Sequence, residues 1–356
     1  MWPAALITAG TAAFGRLFIA GIVPSSLVTV VIWLTLRAHA FSAHVHHLTL
    51  GQLIPPDFSI SNGGQVLLFL FFVTVVTAIL QLFQIGIVRV LEGYWGASRV
   101  AVAFFAAGVR LQRGRQSRAA DVLILAAKSS SPAADQPAGD KLVPRLAEQA
   151  AERRAALRHD LRVQRAALTV AAYPPYETDL LPTRLGNALR SGERRAGERY
   201  GWSTVHAWRR LYPGLPEPLA IAYRSARDAV DTAAVFCLVF VIIAALTAAA
   251  FYRDPALWWV PVLGGLLGFV SYRGAVTTAL MQGVIQHVAF DRHRFDLLEA
   301  LHFELPDTPG EENELAKKVS LFLANGTAPD SAMRYLGGVR YSHLRPEPKP
   351  ERPPSA

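Results

Sequence analysis

The chain has 356 residues, of which 52% are hydrophobic and 18% charged; with a positive mean hydropathy it lies outside the soluble norm. Its one cysteine, Cys237, excludes a disulfide scaffold, a CxxC redox pair and thiolate-ligated zinc. The formal net charge of +9 is read first as membrane topology, because basic residues collect on the cytoplasmic side of any membrane protein.

Four apolar segments predict an all-α membrane protein with four transmembrane helices in two hairpins and an inserted helical cytoplasmic domain. After a cytoplasmic N-terminus, 1–16, the first span covers 17–36, twenty uncharged residues between Arg16 and Arg37. At 1.5 Å per residue it reaches about 30 Å, one hydrocarbon thickness. Pro24 beside Ser25 and Ser26 predicts a kink whose freed carbonyls are taken up by hydroxyls or neighbouring helices. Ala38-His39-Ala40 resembles a signal-peptide cleavage site, but the apolar stretch is too long and no basic region leads it.

The outer loop, 37–64, contains His39, His44, His46 and His47, whose neutral imidazoles suit zinc or copper. Only Asp57 adds a hard ligand and the spacing fits no known site, so solvated or interfacial histidines are the plainer reading. The second span, 65–88, ends at Arg89 and holds two amides, Gln81 and Gln84. These fit hydrogen bonds between helices, or, with Pro24, Ser25 and Ser26, the lumen of an oligomeric pore.

The insert 89–230 carries 23 of the 36 basic residues against 13 of the 27 acidic ones, so it accounts for the whole net charge. Its first part, 97–128, reads as a helix with an apolar start at Val100, Val102, Phe104 and Phe105 and a polar remainder at Arg110, Arg113, Arg115 and Arg118. Residues 129–140 read as a flexible linker. From 141 to 170, Val143, Ala147, Ala150, Leu157, Leu161 and Leu168 recur at three and four, with Arg154 and Gln164 interrupting. That stripe fits an amphipathic helix packed on its own domain or a self-associating coiled coil.

The stretch 181–215 opens a helix that Asp179 or Thr183 caps, with Pro182 in its first turn and Gly201 placed to end it. A second short helix carries Trp202, Val205, Trp208 and Tyr212 with Arg209 and Arg210 beside them. Rings next to arginines suit a headgroup layer, a protein interface or a domain core.

The third span, 231–252, and the fourth, 256–272, are separated by a turn so short that the two helices must be antiparallel neighbours. The fourth contains Pro261, Gly264, Gly265 and Gly268, which leaves a thin or tilted span or a re-entrant hairpin open. Gly264 and Gly268 form a small-xxx-small pair for which the alanine-rich run 244–250 is the natural partner. A cytoplasmic helical tail follows over 273–326, with a capping box at Thr308 to Glu311, and 327–356 is expected to be mostly disordered. Near the span ends, Arg16, Arg89, Arg99, Arg224, Arg227, Arg273 and Arg292 lie on one side against Arg37 and Arg253 on the other, which places both termini in the cytoplasm of a plasma-membrane protein.

The run Leu181-Pro182-Thr183-Arg184-Leu185-Gly186-Asn187, then Glu198-Arg199-Tyr200-Gly201 and Trp208, Arg210, Leu211, Tyr212 and Pro213, resembles multi-pass membrane proteins of actinobacteria. So does Leu91-Glu92-Gly93-Tyr94-Trp95-Gly96 after the second span. The resemblance implies the same plan of membrane helices around a cytoplasmic insert and brings no activity with it.

Chemistry is sparse. None of the spans has an ionisable residue away from its ends, which disfavours carrier chemistry. There is no Walker A sequence, nucleophile elbow, HExxH or dinucleotide fingerprint. His159-Asp160 stands alone on an arginine-rich helix, and Asp291, His293 and Asp296 share one segment without a predicted pocket. No catalytic residue, cofactor or nucleic acid is expected. The partners expected are the lipid bilayer, a cytoplasmic protein and a second copy of the chain. A membrane-tethered interaction or sensing module is the first expectation, an oligomeric channel the second, and a membrane-associated hydrolase without a familiar motif the third.

Overall fold

The computed structural model describes residues 21–37, 40, 63–129, 146–325 and 336–342. The outer-loop histidines, residues 130–145, which take in all but the first residue of the 129–140 linker, and most of the C-terminal stretch lie outside the described residues. Within them the chain is almost entirely helical, with no strand and one isolated bridge between Phe303 and Tyr341. In chain order the α-helices are α1 (Val23–Arg37), α2 (Gly63–Leu82), α3 (Gln84–Glu92), α4 (Arg99–Ser129), α5 (Leu146–Ala171), α6 (Arg184–Glu198), α7 (Thr204–Leu211), α8 (Glu217–Ala250), α9 (Trp259–Ala300) and α10 (Pro309–Asn325).

Two helices, α8 and α9 with its preceding 3-10 turn, are long and apolar enough to cross a membrane, and α2 with α3 makes a third if a bent pair counts as one span. The second apolar segment is therefore two helices and not one rod, bent by 52° at Phe83. Backbone bonding survives the bend, since Phe83 N–H donates to Ile79 O and Ile87 N–H to Phe83 O. The side chain of Gln84, the first residue after the break, lies near the Asp231 carboxyl of α8. The α1 helix is apolar but shorter. Gly21 and Ile22, just before it, are π-helical, a widened turn beside Pro24. Ser25, Ser26 and Thr29 bond back to the carbonyls of Gly21, Ile22 and Ser25 at 2.6, 2.7 and 2.8 Å.

The fourth apolar segment runs without interruption into the polar residues that follow it: α9 is one helix of 42 residues, about 63 Å at the α-helical rise. Pro261 sits in its first turn, where proline is tolerated. A re-entrant hairpin is not what forms.

The chain divides into two compact units, Met1–Ser191 with Arg224–Gln282 and Gly192–Tyr223 with Gly283–Ala356. In the first, Val28 of α1, Leu80 of α2, Ile87 and Val88 of α3 and Val235 and Val239 of α8 form one apolar core. Ala250, Phe251 and Leu257 close the turn between α8 and α9. A third cluster joins Leu185, Ala188 and Leu189 of α6 to Val230 of α8 and Ala275 and Ala279 of α9. Aromatic rings mark the ends of the apolar helices: Arg37 lies 5.2 Å over Trp33 and Arg253 4.9 Å over Tyr252, while Trp258 and Trp259 are exposed, the placement an interfacial belt favours.

On α9, a Cβ built on Gly264 would lie 3.1 Å from Ala244 Cβ and 3.2 Å from its Cα and N, and one on Gly268 would lie 3.3 Å from Val241 Cγ2. The two glycines thus face α8 of the same chain. Gly264→Val adds a branched side chain to a contact that is already tight. It should cost about 1–3 kcal/mol, as overpacking does, read as a lower thermal midpoint in detergent at unchanged particle mass. A mass change with an unchanged midpoint would instead assign this face to contact between copies.

In the second unit, Trp202, Leu211, Phe290, Leu297, Leu298, Phe303 and Val319 make the core. The capping box opens α10: Glu311 N–H donates to Thr308 Oγ1 at 3.3 Å and Asp307 N–H to Glu311 Oε2 at 3.1 Å. From the C-terminal stretch, the described segment 336–342 pairs with the end of α9, with Glu304 N–H on Arg340 O, Ser342 N–H on His302 O, and Tyr341 stacked on Phe303 at 5.4 Å.

Candidate functional site

The runs Leu91–Gly96 and Leu181–Asn187 meet in the first unit, where residues distant in sequence form a polar joint at the start of α6. Thr183 stands just before the helix. Its hydroxyl donates to Glu92 O at 2.8 Å and accepts from Gly186 N–H at 3.0 Å. The next two donors, Arg184 N–H and Leu185 N–H, both reach the Tyr272 hydroxyl of α9, at 3.1 and 3.2 Å, and Asn187 N–H returns to Thr183 O. Three N–H groups that a helix start leaves without partners are thereby satisfied, by one capping threonine and one tyrosine.

Asn187 explains why the chain turns here. Its Oδ1 accepts from Leu181 N–H and its Nδ2 donates to Leu181 O and Thr183 O, each at 2.8 Å, so a single buried amide holds the segment leading into the helix. Pro182 O accepts from Gln112 Nε2 at 3.2 Å, and Gln112 Oε1 accepts from the Tyr173 hydroxyl at 2.9 Å. Burial pushes the Tyr173 phenol above its ordinary value, against the opposing pull of Arg184 and Arg115, which keeps it a neutral donor. Ser191 Oγ ties the next turn of α6 to Ala171 O at 2.7 Å.

Glycines make the approach possible. A Cβ on Gly186 would sit 2.2 Å from Glu92 O, and one on Gly108 2.5 Å from Pro182 Cβ. Gly93 ends α3 with φ 108°, a conformation side chains rarely adopt, and its N–H bonds Arg89 O and Val90 O. Apart from the Tyr173–Gln112 bond, each hydrogen bond named in the joint has a backbone group at one end, and no nucleophile stands beside a base. Its chemistry is to hold, and it fixes the α3 exit, α4, α6 and α9 to one another.

The aromatic residues singled out as interaction candidates fall in the second unit, where Trp202 lies in the core, one of the three readings its sequence left open. Trp202 is 2% exposed, and its indole N–H meets no acceptor among the described residues. Trp208 and Tyr212 are half-buried and close on Tyr223, with ring centroids 5.8 Å apart for Trp208–Tyr212, 4.7 Å for Trp208–Tyr223 and 5.4 Å for Tyr212–Tyr223. The cause is the hydrophobic face of a short helix that repeats at Thr204, Ala207 and Leu211. Only Arg209 and Arg210 stay exposed.

The remaining candidates are scattered. Gln81 lies on α2 near Gly21, whose Cβ would come within 3.1 Å of the amide nitrogen, while Gln84 turns to Asp231. Tyr200 donates to Asp291 at 2.8 Å and His293 pairs with Asp296 at 2.7 Å, so these carboxylates serve two separate contacts. His159 and Asp160 are both exposed on α5. His39, His44, His46 and His47 lie outside the described residues, and among the described residues no group of three His, Cys, Asp or Glu side chains is placed to hold a metal.

Sequence reading missed Gln112, Tyr173 and Tyr272, and a buried pair in the second unit, Arg294 and Glu312, 2.5 Å apart. Gln112 was findable: it stands seven residues before Ala119 and fourteen before Ala126, the other buried members of the same line on α4. Comparison with known proteins returns no matching family model, no matching curated protein and no matching solved structure.

Proposed function

We propose that the chain is a membrane-tethered interaction module of the plasma membrane, built on four spans with both termini cytoplasmic, whose arginine-rich hairpin α4–α5 docks a cytoplasmic protein. The observation that carries this reading is the face of α5 turned away from α4. Leu157, Leu161 and Leu168 are 59, 45 and 70% exposed, whereas Ala166 is buried and Val163 half-buried on the opposite side. These three leucines of the heptad stripe are therefore left uncovered among the described residues. Ordered leucines in water at intervals of four and seven are what a groove-seeking or pairing helix presents.

Arginines 153, 154, 158, 162 and 165 surround that stripe, against Glu152 and Asp160. Like charges facing one another weigh against pairing with a second copy, and the basic rim favours an acidic helix. Leu161→Asp with Leu168→Asp, on exposed positions, should leave thermal stability within about 0.5 kcal/mol and abolish recovery of the partner in affinity purification of the full chain from its native membranes. Undiminished recovery would sink the docking role. Protease added to intact spheroplasts should leave the hairpin uncut, and cleavage there would reverse the topology.

A further inference from the structure

The first three turns of α4 present a second apolar face, distinct from that of α5. Val100, Phe104 and Leu111 are 66, 65 and 50% exposed, and with Ala107 they follow one another at intervals of four, three and four, one stripe of a helix. The buried line of α4, Gln112, Ala119 and Ala126, lies on a neighbouring side, so α5 does not cover this stripe. One further step of seven residues reaches Arg118, where the apolar character stops. Arg110 flanks the stripe and is exposed.

The position in the chain says what meets it. The α3 helix, which completes the second apolar segment, ends at Glu92, and α4 begins at Arg99. The six residues between them reach at most about 20 Å when fully extended, so the start of α4 stays beside the place where α3 leaves the apolar region. That connection holds Tyr94 and Trp95, both exposed, with the indole nitrogen already satisfied by Val90 O at 2.8 Å. Two amphipathic rings, then an apolar stripe of about 17 Å, then arginines, is the order met by a helix that lies in a headgroup layer, its apolar side toward the acyl chains and its cations on phosphates.

We infer that α4 does not leave the bilayer at its first residue: Val100 to Leu111 lies in the lipid headgroup layer, with Arg110 and Arg118 on lipid phosphates. The inference rests on the membrane reading above and is independent of the protein partner proposed for α5. It assigns the two exposed faces of the hairpin to different occupants, bilayer for the start of α4 and protein for α5.

Nitroxide scanning tests it on the full chain. Cys237→Ala removes the native thiol, single cysteines placed in turn from 100 to 111 are spin-labelled, and the protein is reconstituted in phosphatidylcholine–phosphatidylglycerol vesicles. Collision with oxygen relative to a water-soluble nickel chelate should peak at 100, 104, 107 and 111, several-fold above the value for a label at exposed Leu161, and should dip at 110. A label at Val262, exposed on α9, reports the membrane reading itself. Lipid-like collisions at Val262 with water-like ones at Phe104 would overturn the inference alone. Exclusion of both reagents at Phe104 would overturn it in favour of a protein contact. Water-like collisions at Val262 would remove the membrane reading and the inference with it.

Discussion

Replacing Gly186 by valine should unfold the first unit. The Cβ alone would stand 2.2 Å from the carbonyl oxygen of Glu92 and 2.9 Å from Leu181 Cδ1, and the obstacle is backbone, which cannot rotate aside as a side chain does. The carbonyl already accepts the Thr183 hydroxyl at 2.8 Å, so separating the two segments also breaks that bond and disturbs the cap of α6. Overpacking of a core costs about 1–3 kcal/mol where neighbours can yield. Here they cannot, and the loss should be at least about 3 kcal/mol against a total stability of about 5–15 kcal/mol. The measurement is the thermal midpoint and monodispersity of the full chain in detergent. Gly274→Ala is the control, since a Cβ there meets nothing within 4 Å and alanine is the better helix former by about 1 kcal/mol. Equal midpoints for Gly186→Val and Gly274→Ala would show that the joint is not a close contact.

Breaking the ion pair of the second unit should have a comparable effect by a different route. Arg294 and Glu312 are 18 and 11% exposed in their side chains, so removing either leaves a charge that water cannot reach freely. Arg294→Met should cost about 3–5 kcal/mol, the penalty of a buried charge without its partner. Part of that loss comes from Tyr200, whose ring centroid lies 4.1 Å from the guanidinium carbon, a cation–π contact worth about 1 kcal/mol. Glu312→Leu should cost nearly as much. The double replacement should recover most of the loss, because two apolar chains of similar volume bring no unpaired charge. Strictly additive costs in denaturant unfolding would show that the two groups are not coupled.

How much of this was legible beforehand depends on the kind of force. The helical class followed from hydrophobic runs and periodicity, and the cap of α6 from Thr183, because capping is written in adjacent residues, although Pro182 falls before the cap and not in the first turn. The bend at Phe83 was not legible, since the residues around it are as apolar as those of a straight helix and what meets the break, Asp231, lies far along the chain. Trp202 and Trp208 stayed open between interface and core for a related reason: a ring at a helical interval looks the same whether its neighbour is solvent or Phe290. The joint escaped because its members, Glu92, Gln112, Tyr173, Thr183 and Tyr272, are spread over a span that no short-range pattern covers.

That spread bears on how the protein is made. Tyr272, which holds the first two amides of α6, is synthesised 88 residues after Arg184, and at a translation rate of about 5–20 residues per second α6 waits several seconds with those groups bare. Until the start of α9 has been made, the polar joint of the first unit is incomplete. A chain truncated before Tyr272 lacks the acceptor for both amides, and the start of its α6 should exchange backbone hydrogens faster than in the full chain.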